Sequence, residues 1–130
     1  AIVIGAISGI VAVFGVLLLD KLKIDDPVGA VPVHGFNGIW GTLSIGLFGR
    51  KALGLANDGL FYGGGFTQLG IQALGTISVT LFILVAMGIV FKVIDLCIGL
   101  RVSREEELKG LDISEHGMES YSGFQIFANK

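Results

Sequence analysis

From Gly59 to Phe91 the chain reads GLFYGGGFTQLGIQALGTISVTLFILVAMGIVF, without one charged side chain. A helix needs about 20 apolar residues to cross the hydrocarbon core of a bilayer, and this run exceeds that length. Two more such runs lie upstream. Ala1 to Leu19 carries no charge, and neither does Pro27 to Gly49 when His34 is neutral. Across the 130 residues, 52% are hydrophobic and only 15% are charged, whereas soluble domains carry about 25% charged residues. The deficit is concentrated in the three runs. Helices buried in a soluble core are the competing explanation, but three of them would need more polar chain to cover them. The sequence therefore predicts an all-α membrane protein. Its three transmembrane helices span about residues 2–19, 27–49 and 67–100, giving a transmembrane region 1–100 and a tail 101–130.

The boundaries follow from local chemistry. Asp20, Lys21 and Lys23 make a short polar loop after the first span. The second is expected to open at Asp25-Asp26-Pro27, since aspartate accepts an orphan N–H as an N-cap and proline fits the first helical position. Arg50 to Gly65 is a glycine-rich loop with Asn57-Asp58-Gly59 as its turn signal. The third span, at 1.5 Å per residue, is on the order of 50 Å long. That exceeds the bilayer core, so it should tilt or project beyond it. The chain begins with Ala1 inside an apolar run, which suggests the C-terminal part of a longer protein. No basic segment precedes that run, which argues against a signal peptide. Three spans put the first loop and the tail on one side. Lys21, Lys23, Arg101, Arg104 and Lys109 lie there, against Arg50 and Lys51 on the other side. This bias places the C-terminus in the cytoplasm.

Glycine supplies 21 residues. Gly5 and Gly9 form a G-x-x-x-G, and Gly35, Gly38 and Gly41 recur every third position, followed by Gly46 and Gly49. Small residues let helices approach closely in lipid, so these positions are expected to pack within a many-helix bundle. His34 stands out chemically. It lies about 10 Å along the helix from Pro27. Pro32, just before it, should kink the helix and free carbonyls nearby. Ionisable groups within spans tend to mark ion or proton pathways; a structural histidine bonded to a neighbouring helix is the alternative. Asp25 and Asp26 could ligate an ion, but a helix cap explains them as well and is favoured. Lys92 and Asp95 should form an ion pair near a helix end, Trp40 should pack, and Cys97 should be a buried thiol without a disulfide partner. Gly63-Gly64-Gly65 lacks the pattern of a phosphate loop. No cofactor, metal site, nucleic-acid partner or enzymatic reaction is expected.

The tail from Arg101 to Lys130 holds six acidic and four basic residues plus His116. A solvated end is the simple explanation. Leu100, Val102, Leu108, Leu111, Ile113 and Tyr121 could instead dock on something, with Gly110 and Gly117 bending the segment.

The second span reads DDPVGAVPVHGFNGIWG from Asp25 to Gly41, and the tail reads GLRV from Gly99, EEE from Glu105, GLD from Gly110, His116-Gly117 and Tyr121. In that order these motifs resemble the ammonium transporter family (Amt/Mep/Rh), along essentially the whole chain. The resemblance implies that the three spans are the last three of an eleven-helix bundle, in a homotrimer with one pore per subunit in the cell membrane. It implies that His34 is one of two pore histidines, the other lying on an earlier span. It also implies a regulatory tail involving Arg101, Gly110, Asp112, Ser114, His116, Gly117 and Tyr121. In bacterial and archaeal members the tail region meets a P-II-type nitrogen signalling protein. Ser114 falls where some eukaryotic relatives have a phosphorylated threonine. Family members often carry an acidic residue where this chain has Gly29, so no second charged group near His34 is implied.

The chemistry of such a pore is coherent. Ammonium entering an apolar pore must shed water, and an isolated buried ion costs many kcal/mol. Neutral ammonia costs far less, and a neutral imidazole can accept its hydrogen bond and take part in proton transfer. Two imidazoles in contact titrate as a pair. The implied mechanism is deprotonation of ammonium, with ammonia and the proton crossing by separate routes. An ammonium sensor is the second function class, and a structural membrane subunit the third. His34 beside Pro32 argues against the last.

Overall fold

The computed structural model describes residues 1–120, and their regular structure is helical throughout. Helix α1 covers Ile2–Lys21, a π-helical segment covers Val31–Phe36, and α2 follows over Asn37–Phe48. Short 3-10 turns occupy Lys51–Leu53 and Leu60–Tyr62, and α3 covers Thr67–Ile98. The tail forms α4 (Arg104–Lys109) and α5 (Leu111–His116). The chain divides into two compact units, one ending at Leu84 and the other beginning at Val85.

In the first unit, α1 ends within two residues of the expected boundary. Its end is closed by the Ile24 N–H donating to Leu19 O (3.0 Å) and the Lys23 N–H to Asp20 O (3.0 Å). Both bonds require a left-handed residue between them. Lys23 takes that conformation at φ 58°, a place more often held by glycine. The polar loop then turns at Pro27, where the Gly29 N–H reaches back 3.1 Å to Asp26 O and Gly29 adopts φ 67°. Proline suits the second place of such a turn. The helix expected from Pro27 therefore begins at Val31 instead. From there helical backbone continues without a break to Phe48.

The loop after α2 is tied at both ends. The Gly59 N–H donates to Gly49 O (2.8 Å), and the Asp58 carboxylate accepts the Lys51 N–H (2.8 Å). The Phe48 and Phe61 rings meet at a 35° tilt with centroids 5.1 Å apart, and the Arg50 guanidinium lies 4.8 Å over the Tyr62 ring. A cation in that place is attracted by the ring's negative face. In α3, Lys92 Nζ and Asp95 Oδ2 lie 3.3 Å apart, the pair anticipated from their spacing. Both are exposed, so the pair adds little stability.

Hardly any of this apolar surface is buried. Among the described residues only Leu19 and Pro32 stand out as buried apolar side chains. Phe82 is 73% exposed and Leu96 74%. A water-soluble domain would bury such side chains, each worth about 1.5–3 kcal/mol. Two helices, α1 and α3, are long and apolar enough to cross a membrane, and their apolar stretches are almost wholly unburied. Cys97, expected to be buried, is exposed on the last turn of α3.

The second unit holds the tail. Ser103 opens α4 with a capping box: its hydroxyl accepts the Glu106 N–H (3.3 Å) while the Glu106 carboxylate accepts the Ser103 N–H (2.9 Å). The Ser103 hydroxyl and backbone bonds hold the Glu106 carboxyl below the usual carboxylate range. That contribution is therefore present at neutral pH and fades as pH falls through the lowered pKa. Gly110 (φ 99°) joins α4 to α5, and Gly117 (φ 69°) ends α5. Both bends were expected from the glycines.

Candidate functional site

The segment carrying His34 is fastened at its start by Asp26. Its Oδ1 accepts the Ala30 N–H (2.8 Å) and its Oδ2 accepts the Val31 N–H (2.9 Å). Asp26 thus caps the helix, as the sequence suggested, but from across the Pro27 turn rather than from the adjoining residue. No hydrogen bond of the Asp25 side chain to the helix start accompanies it among the described residues. Replacing a capping aspartate by alanine typically costs about 0.5–2 kcal/mol. We expect Asp26→Ala to lower the thermal stability of the purified full-length protein measurably and Asp25→Ala to leave it nearly unchanged. Equal shifts in the two would contradict this account of the cap.

Pro32 lies in the first turn of this helix, not in its interior. A proline there forfeits an N–H that would have no partner anyway, so the interior kink expected from the sequence is absent. What distinguishes the segment is its π geometry. The Asn37 N–H reaches back five residues to Pro32 O as well as three to His34 O. Pro32 is fully buried. Its ring sits over Gly15 of α1, so close that a Cβ on Gly15 would lie 2.7 Å from Pro32 Cβ and 2.9 Å from Phe36 Cδ2. Farther along, the Trp40 indole Nε1–H donates to Ile4 O of α1 at 3.1 Å. Trp40 therefore packs as expected, and does so through a specific bond.

His34 itself is exposed, as are Val33 and Gly35 beside it. Asn37 Oδ1 is buried without a hydrogen-bond partner among the described residues, and so is Thr76 Oγ1 on α3. A cleft of about 350 Å³ separates α2 from α3, lined by Ile39, Leu43, Ala73, Thr76, Ile77 and Thr80 among others. Only part of the glycine series singled out by spacing packs within the chain. A Cβ at Gly5, Gly9, Gly38 or Gly41 would meet nothing within 4 Å. Gly46, in the same series, does pack as expected: its Cβ would lie 2.5 Å from the Leu69 backbone of α3, while Gly15, outside the series, packs against Pro32.

In the tail, Asp112 is engaged with the backbone. Its carboxylate accepts the Ser120 N–H (3.0 Å) and the Ile113 N–H (3.0 Å), and the Ser120 bond foremost lowers its pKa. Ser114 is exposed, with its hydroxyl 3.4 Å from Leu111 O. Arg101 and His116 are exposed as well. Tyr121 lies outside the described residues.

The family model of the Ammonium Transporter Family matches residues 1–121, nearly the whole chain. The chain belongs to the ammonium transporter family. The family match takes in α1, the His34 segment, α2, α3 and both tail helices. Ammonium transporter Amt2 of Archaeoglobus fulgidus is 40% identical over 95% of the chain, which covers 28% of that protein. Ammonium transporter 3 of Dictyostelium discoideum is 39% identical over 93%, covering 30% of that protein. An ammonium transporter of Mycobacterium bovis is 37% identical over 93%, covering 27%. The chain thus spans less than a third of the length of these relatives. No solved structure matches it significantly.

Membership of the ammonium transporter family leaves two features that sequence reasoning missed. Gly15 lies outside the G-x-x-x-G of Gly5 and Gly9, so spacing does not mark it. The π segment has no sequence period of its own, and only the proline within an apolar run hinted at irregular backbone.

Proposed function

We propose that this chain forms part of a longer membrane protein that carries ammonium or ammonia across the cell membrane. Membership of the ammonium transporter family, and relatives named ammonium transporters, support that reading. The observation that carries the site is the placing of His34: an exposed imidazole two residues from a proline that is fully buried against α1. The helix is anchored on one face and presents its ionisable group on the other. In this reading His34 lines an apolar, channel-like pore, pairs with a second histidine from elsewhere in the protein, and accepts a proton or hydrogen bond from the substrate. The stretch from Val31 to Phe48 serves as a third span between α1 and α3. The working assembly is a homotrimer.

The tail, in the same reading, is cytoplasmic and regulatory. Arg101 and Arg104 are exposed and suited to pair with acidic groups, and a P-II-type nitrogen signalling protein is the proposed partner. Phosphorylation at exposed Ser114 would add nearly two negative charges beside Asp112 and Glu115 and could displace the segment by repulsion.

The test is flux. The full-length protein reconstituted in lipid vesicles should speed ammonium-dependent movement across the membrane well above protein-free vesicles. Binding of ammonium without added flux would point to a sensor and end the transport reading.

A further inference from the structure

Pro32, Phe36 and Trp40 all turn toward α1: the first two over Gly15, and the third on the Ile4 carbonyl. In an unbroken α-helix, Pro32 and Trp40, eight residues apart, would differ in direction by about 80°. A wide π turn accommodates about one extra residue. Removing that residue's share of rotation, about 100°, brings the two anchors to within about 20° of each other. The π geometry over Val31–Phe36 is therefore what lets one face of this helix meet α1 at both points. His34 lies midway between Pro32 and Phe36 and so points to the opposite side, where it is exposed.

We propose that Gly15 and Pro32 form a positioning device: the bare backbone of Gly15 seats the Pro32 ring, and this seat holds the π turn that aims His34 away from α1. The inference rests on the reading of His34 as a pore-lining group. Gly15 and Pro32 do not touch the substrate themselves. A side chain on Gly15 cannot be accommodated by a small rearrangement, because its closest neighbour is a ring carbon fixed to the backbone. The segment must lift, and the contact that seats the wide turn is then lost. The helix can relax to an α turn while Trp40 stays bonded, which swings His34 by part of a turn.

The experiment measures the facing of position 34 directly. In the full-length protein, His34→Cys is treated with a small water-soluble methanethiosulfonate reagent, and its modification is compared with that of native Cys97 on the same molecule. Cys97 is exposed on the last turn of α3, so its rate calibrates the reagent, and size-exclusion elution of the same sample reports an intact fold. Adding Gly15→Ala, or separately Pro32→Ala, should slow modification at position 34 roughly tenfold, because a cysteine's reactivity follows its exposure. The rate at Cys97 should stay the same. Pro32→Ala adds no bulk and keeps the test available if Gly15→Ala fails to fold. An unchanged rate at position 34 in a folded variant overturns the positioning role while leaving His34 in the pore. No modification at position 34 with Gly15 and Pro32 both present would mean that position 34 faces no reagent-accessible path, and the positioning role falls; the flux measurement tests the pore reading separately.

Discussion

Ammonium flux through the full-length protein should fall by at least about a hundredfold in His34→Ala, with the amount of folded, assembled protein unchanged. The magnitude follows from what a positioned imidazole supplies. Proton transfer by a placed side chain is typically worth 10² to 10⁴ in rate, and a substrate stripped of water has few other acceptors in an apolar passage. Assembly should survive because His34 is exposed and anchors nothing within this chain; Pro32, Phe36 and Trp40 hold the helix. A His34→Ala protein whose flux vanishes but which still passes unhydrated cations would support a role in selectivity. Wild-type flux and selectivity would return His34 to a structural role.

Gly46→Leu should have an equally severe effect of a different kind. It should remove most of the folded protein rather than alter transport. A Cβ at Gly46 would come 2.5 Å from Leu69 Cα, which is backbone and cannot rotate away. Overpacking usually costs about 1–3 kcal/mol, and a whole isobutyl group against backbone lies at or beyond the upper end. Size-exclusion chromatography of the solubilised protein measures this directly. Recovery of Gly46→Leu at the wild-type level would show that α2 and α3 do not meet there. The contrasting substitution is Gly38→Leu. Spacing alone suggested it would prevent close helix approach, yet a side chain at Gly38 meets nothing in this chain. A loss of folded protein in Gly38→Leu would thus require contact with a part of the protein outside this chain.

Long, uncharged runs were the most legible part of the sequence. The absence of charge marks a helix strongly, because every backbone polar group in lipid must be satisfied within the segment. That is why α1 and α3 begin and end within about two residues of expectation. Gly110 and Gly117 were legible because helix ends favour a left-handed residue that glycine adopts at no cost. The start of the His34 helix was not. Asp25-Asp26-Pro27 carries every local mark of a cap, yet Asp26 reaches forward over a turn, and its side chain gives no sign of how far it will reach. Gly46 lay in the spaced series and was legible, but Gly15 was illegible for a related reason. Spacing shows which glycines share a face of one helix, but not which face meets a partner. Gly15 matters through Pro32, which lies in a different helix.

Asp26 also sets the electrical character of the ground near His34. A bare helix start carries about half a positive charge, and this one lies three residues before the imidazole. If a cation is to approach His34, an uncapped start would oppose it by about 0.3–1 kcal/mol. The carboxylate laid across the Ala30 and Val31 N–H groups reverses that sign. One side chain therefore does two jobs, fastening the helix and making its threshold hospitable to positive charge.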